Sequence, residues 1–311
     1  MKALILNEFE GPLEVVTKEK PEPKEGEVLV RIKAAGINPV DAMITNGYMK
    51  DRMKHHFPLV PGWEMAGVVE ECGYGARRFM NGEEVYAYAR RPEVGEGTFA
   101  EYICLPESYL SKKPVNISFE EAGSVPLTGL TAYQCLFDTG KLKQEDVVLV
   151  LGASGGVGTF AIQLAKYHGS TVVAVASEDN HTYLKELGAD YCIDYKNQDV
   201  EKEVKNKFKE GVDLVLDAVG GDTTEIGVQC MKKGGKIVSI ANPGEDIDDQ
   251  VDFTFVFVEP NSRQLDHIRE IIEAGNMKVP MQKTYKLDEV KHAFEQILSG
   301  HTTGKIAFSL N

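Results

Sequence analysis

The residue pattern predicts an α/β protein built on a doubly wound parallel sheet, with a second, strand-rich region. Three observations point there. Residues 1–122 are filled with short apolar runs broken by Gly and Pro. After Ser118 strand-like and helix-like segments alternate. A glycine-rich turn, Gly152–Gly158, separates an apolar strand pattern from a helical one.

In the first region the strand-like runs are Ala3–Leu6, Glu27–Ala35, Met65–Glu71 and Phe99–Leu105, punctuated by Gly11-Pro12, Pro21-Glu22-Pro23, Pro61-Gly62 and Asn81-Gly82. The grammar changes at Ser118, which pairs with Glu121 as a capping box for a following helix. Beyond it, strands are expected at 147–151, 171–176, 191–194, 213–217 and 235–240. Helices are expected near 157–168, 180–187, 199–209 and 222–231. In the third of these, Val200, Val204 and Phe208 repeat every four residues, as one buried helix face requires. The alternation of strands and helices specifies a parallel sheet with helices on both faces. Two more helices, 262–275 and 288–298, precede a last strand, Lys305–Leu310.

Composition narrows the function classes. The 311 residues have an ordinary apolar fraction of 42%. A net charge of −14 disfavours nucleic acid and anionic membrane as partners, and isolated basic pairs such as Arg77-Arg78 and Arg90-Arg91 do not reverse it. Five scattered cysteines without a CxxC spacing read as free thiols in a reducing compartment. The N-terminus, Met-Lys-Ala-Leu-Ile-Leu, reads as a strand rather than a signal peptide, and no apolar run is long enough to span a membrane. A cytoplasmic location is expected.

The glycine turn carries the most specific chemistry. Val147–Leu151 reads as a buried strand, and a helix with Val157, Ala161, Leu164 and Ala165 on one face follows the turn. Gly156-x-Gly158-x-x-Ala161 fits the dinucleotide pattern in the required strand–turn–helix context. Glycine lets the backbone approach a diphosphate, and the helix start offers free N–H groups and a positive dipole end. Ala153, Ser154, Gly155, Gly156 and Val157 are therefore expected to bind the cofactor. An acidic residue about 20 positions on would select NAD through the ribose 2′-hydroxyl. Here Ser177 stands 19 residues beyond Gly158, and a hydroxyl can donate to a 2′-phosphate. Asn180 and Tyr195 are expected to join it, so NADPH is the expected cofactor. Glu178 and Asp179 follow immediately; either one turned inward would favour NAD instead. For Asn180 a helix N-cap role is also open.

Six segments in order resemble the quinone oxidoreductase branch of the zinc-independent medium-chain dehydrogenase/reductases. They are Ala34–Asp41, Pro61–Val69, Thr128–Tyr133, Gly152–Gly158, Leu187–Asp190 and Gly304-Lys305-Ile306. The resemblance spans nearly the whole chain. It implies a GroES-like β-barrel catalytic domain, residues 1–122 and 260–311, around an inserted Rossmann NADP-binding domain, residues 123–259. It also implies a dimer or tetramer, of which a homodimer is expected, a small quinone or enone substrate, and hydride transfer from NADPH.

The same resemblance implies that zinc is absent. Asn38 takes the position of a ligand cysteine, Trp63 that of a ligand histidine, and the third ligand falls near Ser124. An amide, an indole and a hydroxyl are poor partners for catalytic zinc. The cysteine-rich lobe of zinc relatives is missing at Arg90–Gly97, and the adjacent His55-His56 read as loop residues. Without a Lewis acid the expected acceptors are already electron-poor, and hydrogen-bond donors must stabilise the anion that forms. Asn38 is the expected donor, to a substrate oxygen or to the nicotinamide ribose. Tyr48 is expected either to donate a proton or to wall the substrate site. Met43 and Met49 stand where relatives carry tyrosines, which implies an apolar, adaptable site. Thr128, Val219, Phe257 and Val258 are expected beside the cofactor; Phe255–Val258 is expected as a strand that either approaches the nicotinamide or forms an oligomer edge. Lys305 is read as reaching the cofactor or substrate, or as forming a surface salt bridge.

Two other functions remain open on the residues. A 2-enoyl thioester reductase of the same family would use Lys50, Arg52 and Lys54 against an acyl carrier. A non-catalytic NADPH-binding redox sensor would lack turnover altogether.

Overall fold

The computed structural model describes residues 1–245 and 247–310. The chain divides into two compact units. One holds Met1–Leu127, Glu259–Gly275 and the described residues from Val279 onward; the other holds Thr128–Val258 and Asn276–Lys278. The three-residue return to the second unit is tied there by Gln163, whose Oε1 accepts from the Lys278 amide at 2.7 Å and whose Nε2 donates to the Lys278 carbonyl at 3.0 Å.

In the second unit the described residues form a six-stranded parallel sheet. Its order is Tyr191–Asp194, Thr171–Ala176, Val147–Leu151, Val212–Asp217, Met231–Ser239 and Phe253–Phe255. The order reverses at the glycine-turn strand, the arrangement of a doubly wound sheet. Strand interiors are apolar on both faces; Leu149, Val173, Val215 and Ile237 are in one core cluster. Register decides what meets at the C-terminal edge: Leu151 lies opposite Asp217, Asp217 opposite Ser239, and Ser239 opposite Phe255. The helices run Gly156–His168, His181–Glu186, Val200–Lys207 and Asp222–Cys230.

One expected strand is corrected. Pairing covers Phe253–Phe255 and not Phe255–Val258. Beyond it, Val256 N donates to Ser239 O at 2.9 Å, where the neighbouring strand ends. The helix expected from 288 begins instead at Val290, because Leu287–Glu289 forms a tighter 3₁₀ turn.

In the first unit the central strand is Glu27–Ile37. Glu64–Cys72 and Lys305–Ser309 pair with it antiparallel, and Tyr102–Pro106 also pairs with it. Leu4, Val30, Ile32, Met65, Phe99 and Phe308 are in the core of this unit. Two registers position the site described next. Ile306 lies opposite Ile37, which brings Lys305 beside Asn38, and Ala34 lies opposite Ala66, which turns Glu64 toward Gly36. The helix Phe119–Ala122 opens with the expected Ser118–Glu121 capping box.

Candidate active site

Asn38 directly follows the central strand and is the N-cap of the helix Pro39–Thr45. It is 2% exposed. Its Nδ2 donates to Glu64 Oε1 at 2.7 Å, and its Oδ1 accepts from Lys305 Nζ at 2.5 Å. Lys305 Nζ also donates to Glu64 Oε1 at 2.9 Å. The second carboxylate oxygen, Glu64 Oε2, accepts from the Leu127 amide at 2.8 Å. An ammonium only donates and a carboxylate only accepts, so together they fix which end of the Asn38 amide faces which partner. The set packs tightly: a Cβ on Gly36 would lie 2.2 Å from Glu64 Oε1. Only glycine fits there.

Asp41 lies below the same set, fully buried. Its Oδ2 accepts from the Asn38 amide at 2.8 Å, while Oδ1 has no hydrogen-bond partner. Burial pushes its pKa up to about 8, aided by the Glu64 charge and opposed by the Asn38 N–H and by Lys305. Trp63 is buried, edge-on to Tyr88, whose phenol burial holds well above its ordinary pKa. Ser124 Oγ donates to Glu120 O at 2.9 Å.

Zinc does not fit the residues at these positions. The amide oxygen of Asn38 already holds an ammonium, Ser124 donates its hydroxyl to a carbonyl, and Trp63 offers no lone pair. Among the described residues there is no cluster of three His, Cys, Asp or Glu side chains placed to hold a metal. His55 belongs to a two-residue strand with Glu93–Val94 opposite, and His56 Nε2 lies 2.8 Å from Glu93 Oε2.

The reading of Lys305 as a surface salt bridge is corrected. It is 2% exposed, and its partner Glu64 is fully buried. Beyond the helix Pro39–Thr45, Tyr48 is 72% exposed and Met43 partly so, but Met49 is buried. Met49 therefore packs inward and does not line an open surface.

In the second unit the glycine turn is close-packed against its helix at Gly158 and open at Gly155. A Cβ on Gly158 would lie 2.5 Å from Ala153 O and 2.6 Å from Ala153 Cα, so the helix can approach the turn this closely only with glycine. A Cβ on Gly155 would meet only Gly152 O, at 3.4 Å, which leaves the outer side of the turn open. Ala153 is buried, while Ser154, Gly155, Gly156 and Val157 are partly exposed along it. At the end of the neighbouring strand Ser177 Oγ accepts from Asn180 Nδ2 at 3.1 Å. Glu178 and Asp179 are both exposed. Asp194, the acidic side chain at the next strand end, is 4% exposed and is taken up by its own turn, accepting from Lys196 N and Asn197 Nδ2. Tyr195 and Val219 are exposed; Thr128 and Val258 are buried, and Phe257 is half-buried.

Sequence reasoning missed Glu64 and Asp41, the buried partners of Asn38. A signal existed for the first: Glu64 precedes the apolar run Met65–Val69, where a carboxylate needs a buried cation.

Comparison with known proteins matches this architecture. Residues 24–115 match the alcohol dehydrogenase GroES-like domain, and residues 187–307 match the zinc-binding dehydrogenase domain. The chain belongs to the medium-chain dehydrogenase/reductase family. It is 34% identical to an NADPH-dependent alkenal/one oxidoreductase of Arabidopsis thaliana, over 98% of this chain and 78% of the relative. It is 30% identical to a chloroplast envelope quinone oxidoreductase homolog of the same plant, over 98% of this chain and 97% of the relative. The structure of the quinone oxidoreductase from Coxiella burnetii superposes with a TM-score of 0.88 at 31% identity, covering 100% of this chain and 99% of that one.

Proposed function

We propose that this chain is a zinc-independent oxidoreductase that transfers hydride from NADPH to a quinone or an α,β-unsaturated carbonyl. The observation that carries the reading is the buried Lys305 ammonium, held by Glu64 and by Asn38, the residue that stands in the position of a zinc-ligand cysteine. A protein wired this way lacks a Lewis acid there, and acceptors that are already electron-poor need none. Relatives named for alkenal/one and quinone reduction support the same substrate class.

Bound NADPH supplies the hydride. The turn Ala153–Val157 holds the diphosphate, and Ser177, with Asn180 and Tyr195, holds the 2′-phosphate without a competing inward carboxylate. Asn38 uses one Nδ2 hydrogen on Glu64 and keeps the other to orient an oxygen of the acceptor or of the nicotinamide ribose. Tyr48, exposed beyond the same helix, delivers the proton. Thr128, Val219, Phe257 and Val258 complete the cofactor's surroundings. The chain acts as a homodimer in this reading, and its compartment is the cytoplasm. Among the described residues no helix is long and apolar enough to cross a membrane.

The test is NADPH oxidation by a panel of quinones, enones and 2-enoyl thioesters. Turnover of quinones or enones is expected. Turnover confined to thioesters would move the assignment to an acyl-thioester reductase, for which the exposed Lys50 and Arg52 provide cations. Tight NADPH binding without any turnover would leave a redox sensor.

A further inference from the structure

Asp217 is fully buried, and neutral donors hold its carboxylate. Oδ1 accepts from the amides of Val219 at 3.0 Å and Gly220 at 2.9 Å. Oδ2 accepts from Thr224 Oγ1 at 2.7 Å and Ser239 Oγ at 2.9 Å. Ser239 Oγ in turn accepts from the amides of Ala241 and Asn242, and Asn242 Nδ2 donates to Thr224 Oγ1. One side chain thus ties together the loop after its own strand, the start of the helix Asp222–Cys230 and the loop after the neighbouring strand.

The first of those loops reaches the glycine turn, and the second packs on the first. A Cβ on Gly152 would lie 2.9 Å from Val219 Cγ2, and one on Gly220 would lie 3.1 Å from Ala241 Cβ. Leu151, Asp217 and Ser239 stand side by side at the C-terminal edge of the sheet. In a doubly wound sheet the adenosine half of a dinucleotide lies over the strands on one side of the reversal and the nicotinamide half over those on the other. Asp217 and Ser239 are on the side away from Ser177.

We propose that Asp217 is a positioning residue for the nicotinamide half of the cofactor. It sets the two loops over which the nicotinamide riboside lies, without touching it. The proposal deepens the NADPH reading above. An amide cannot replace this carboxylate. In an Asp217→Asn variant whose side-chain oxygen still faces the Val219 and Gly220 amides, the new NH₂ group would face two hydroxyls that already accept hydrogen bonds.

The test is fluorescence titration of wild type and Asp217→Asn with NADPH and with 2′-phospho-ADP-ribose, which lacks nicotinamide. The expected result is an NADPH Kd raised about tenfold, the effect of losing one buried charged hydrogen bond. The fragment's Kd should stay at its wild-type value. A uniform loss for both ligands reports general damage to the unit and overturns the proposal, as does an unchanged NADPH Kd. Should Asp217→Asn fail to fold, Ser239→Ala keeps the carboxylate and must show the same asymmetry. Wild-type protein that binds neither ligand would instead refute the NADPH reading itself.

Discussion

Lys305 and Asn38 are 267 residues apart in the chain and 2.5 Å apart in the fold. That closeness sets a balance of charge in a dry place. A buried ion pair contributes little net stability, but removing one partner strands the other. Lys305→Met should therefore destabilise the protein by about 3 to 5 kcal/mol in urea unfolding. The double change Lys305→Met with Glu64→Gln, which leaves no stranded charge, should recover most of that loss; a double variant as unstable as the single one would refute this account. Asp41 adds a pH dependence. Its pKa is raised to about 8 in the fold against an ordinary 3.8, so the folded state binds the proton more tightly. Its contribution to stability is complete in acid, below 3.8, and drains away as pH rises toward 8. Subtracting the stability profile of Asp41→Asn from that of wild type should show this decline, and parallel profiles would contradict it.

The strand–turn–helix element is the part most readable from residues alone, because its requirements are local. Gly158 has no room for a side chain, and the nearest atoms are all backbone. Gly158→Ala should weaken NADPH binding by about tenfold or more, measured by fluorescence titration. At the next strand end, Ser177→Asp places a carboxylate against the 2′-phosphate. The ratio of NADH to NADPH affinity should rise, and a ratio unmoved by the change would show that Ser177 is not the discriminating residue. The strand at Phe253–Phe255 is harder to place. Its alternation continues to Val258, but where pairing stops is set by the length of the neighbouring strand, which these residues do not encode.

Across the complete chain the functional reading rests on chemistry without a metal. Prolonged dialysis against a chelator should leave NADPH oxidation unchanged, and elemental analysis should find no stoichiometric zinc; activity lost to the chelator and restored by zinc would refute the role given to Lys305. The strand-rich first region, the alternation after Ser118 and the glycine turn are all legible in the residues, since apolar periodicity and glycine placement act over a few positions. The presence of Asn38 and Trp63 at metal-ligand positions is legible through resemblance. That Lys305 and Glu64 hold the Asn38 side chain is not.

Local pattern thus suffices for the parallel sheet and for the glycine turn between its first strand and helix. Only folding could show that Lys305 is a buried partner of Asn38 and Glu64 rather than a surface cation, and that Asp217 ties the loop after its own strand to the next strand's end and a helix start. The reason is physical: strand register between distant segments places those charges, and burial then turns each of them from a solvated group into one that must find its partners within the protein.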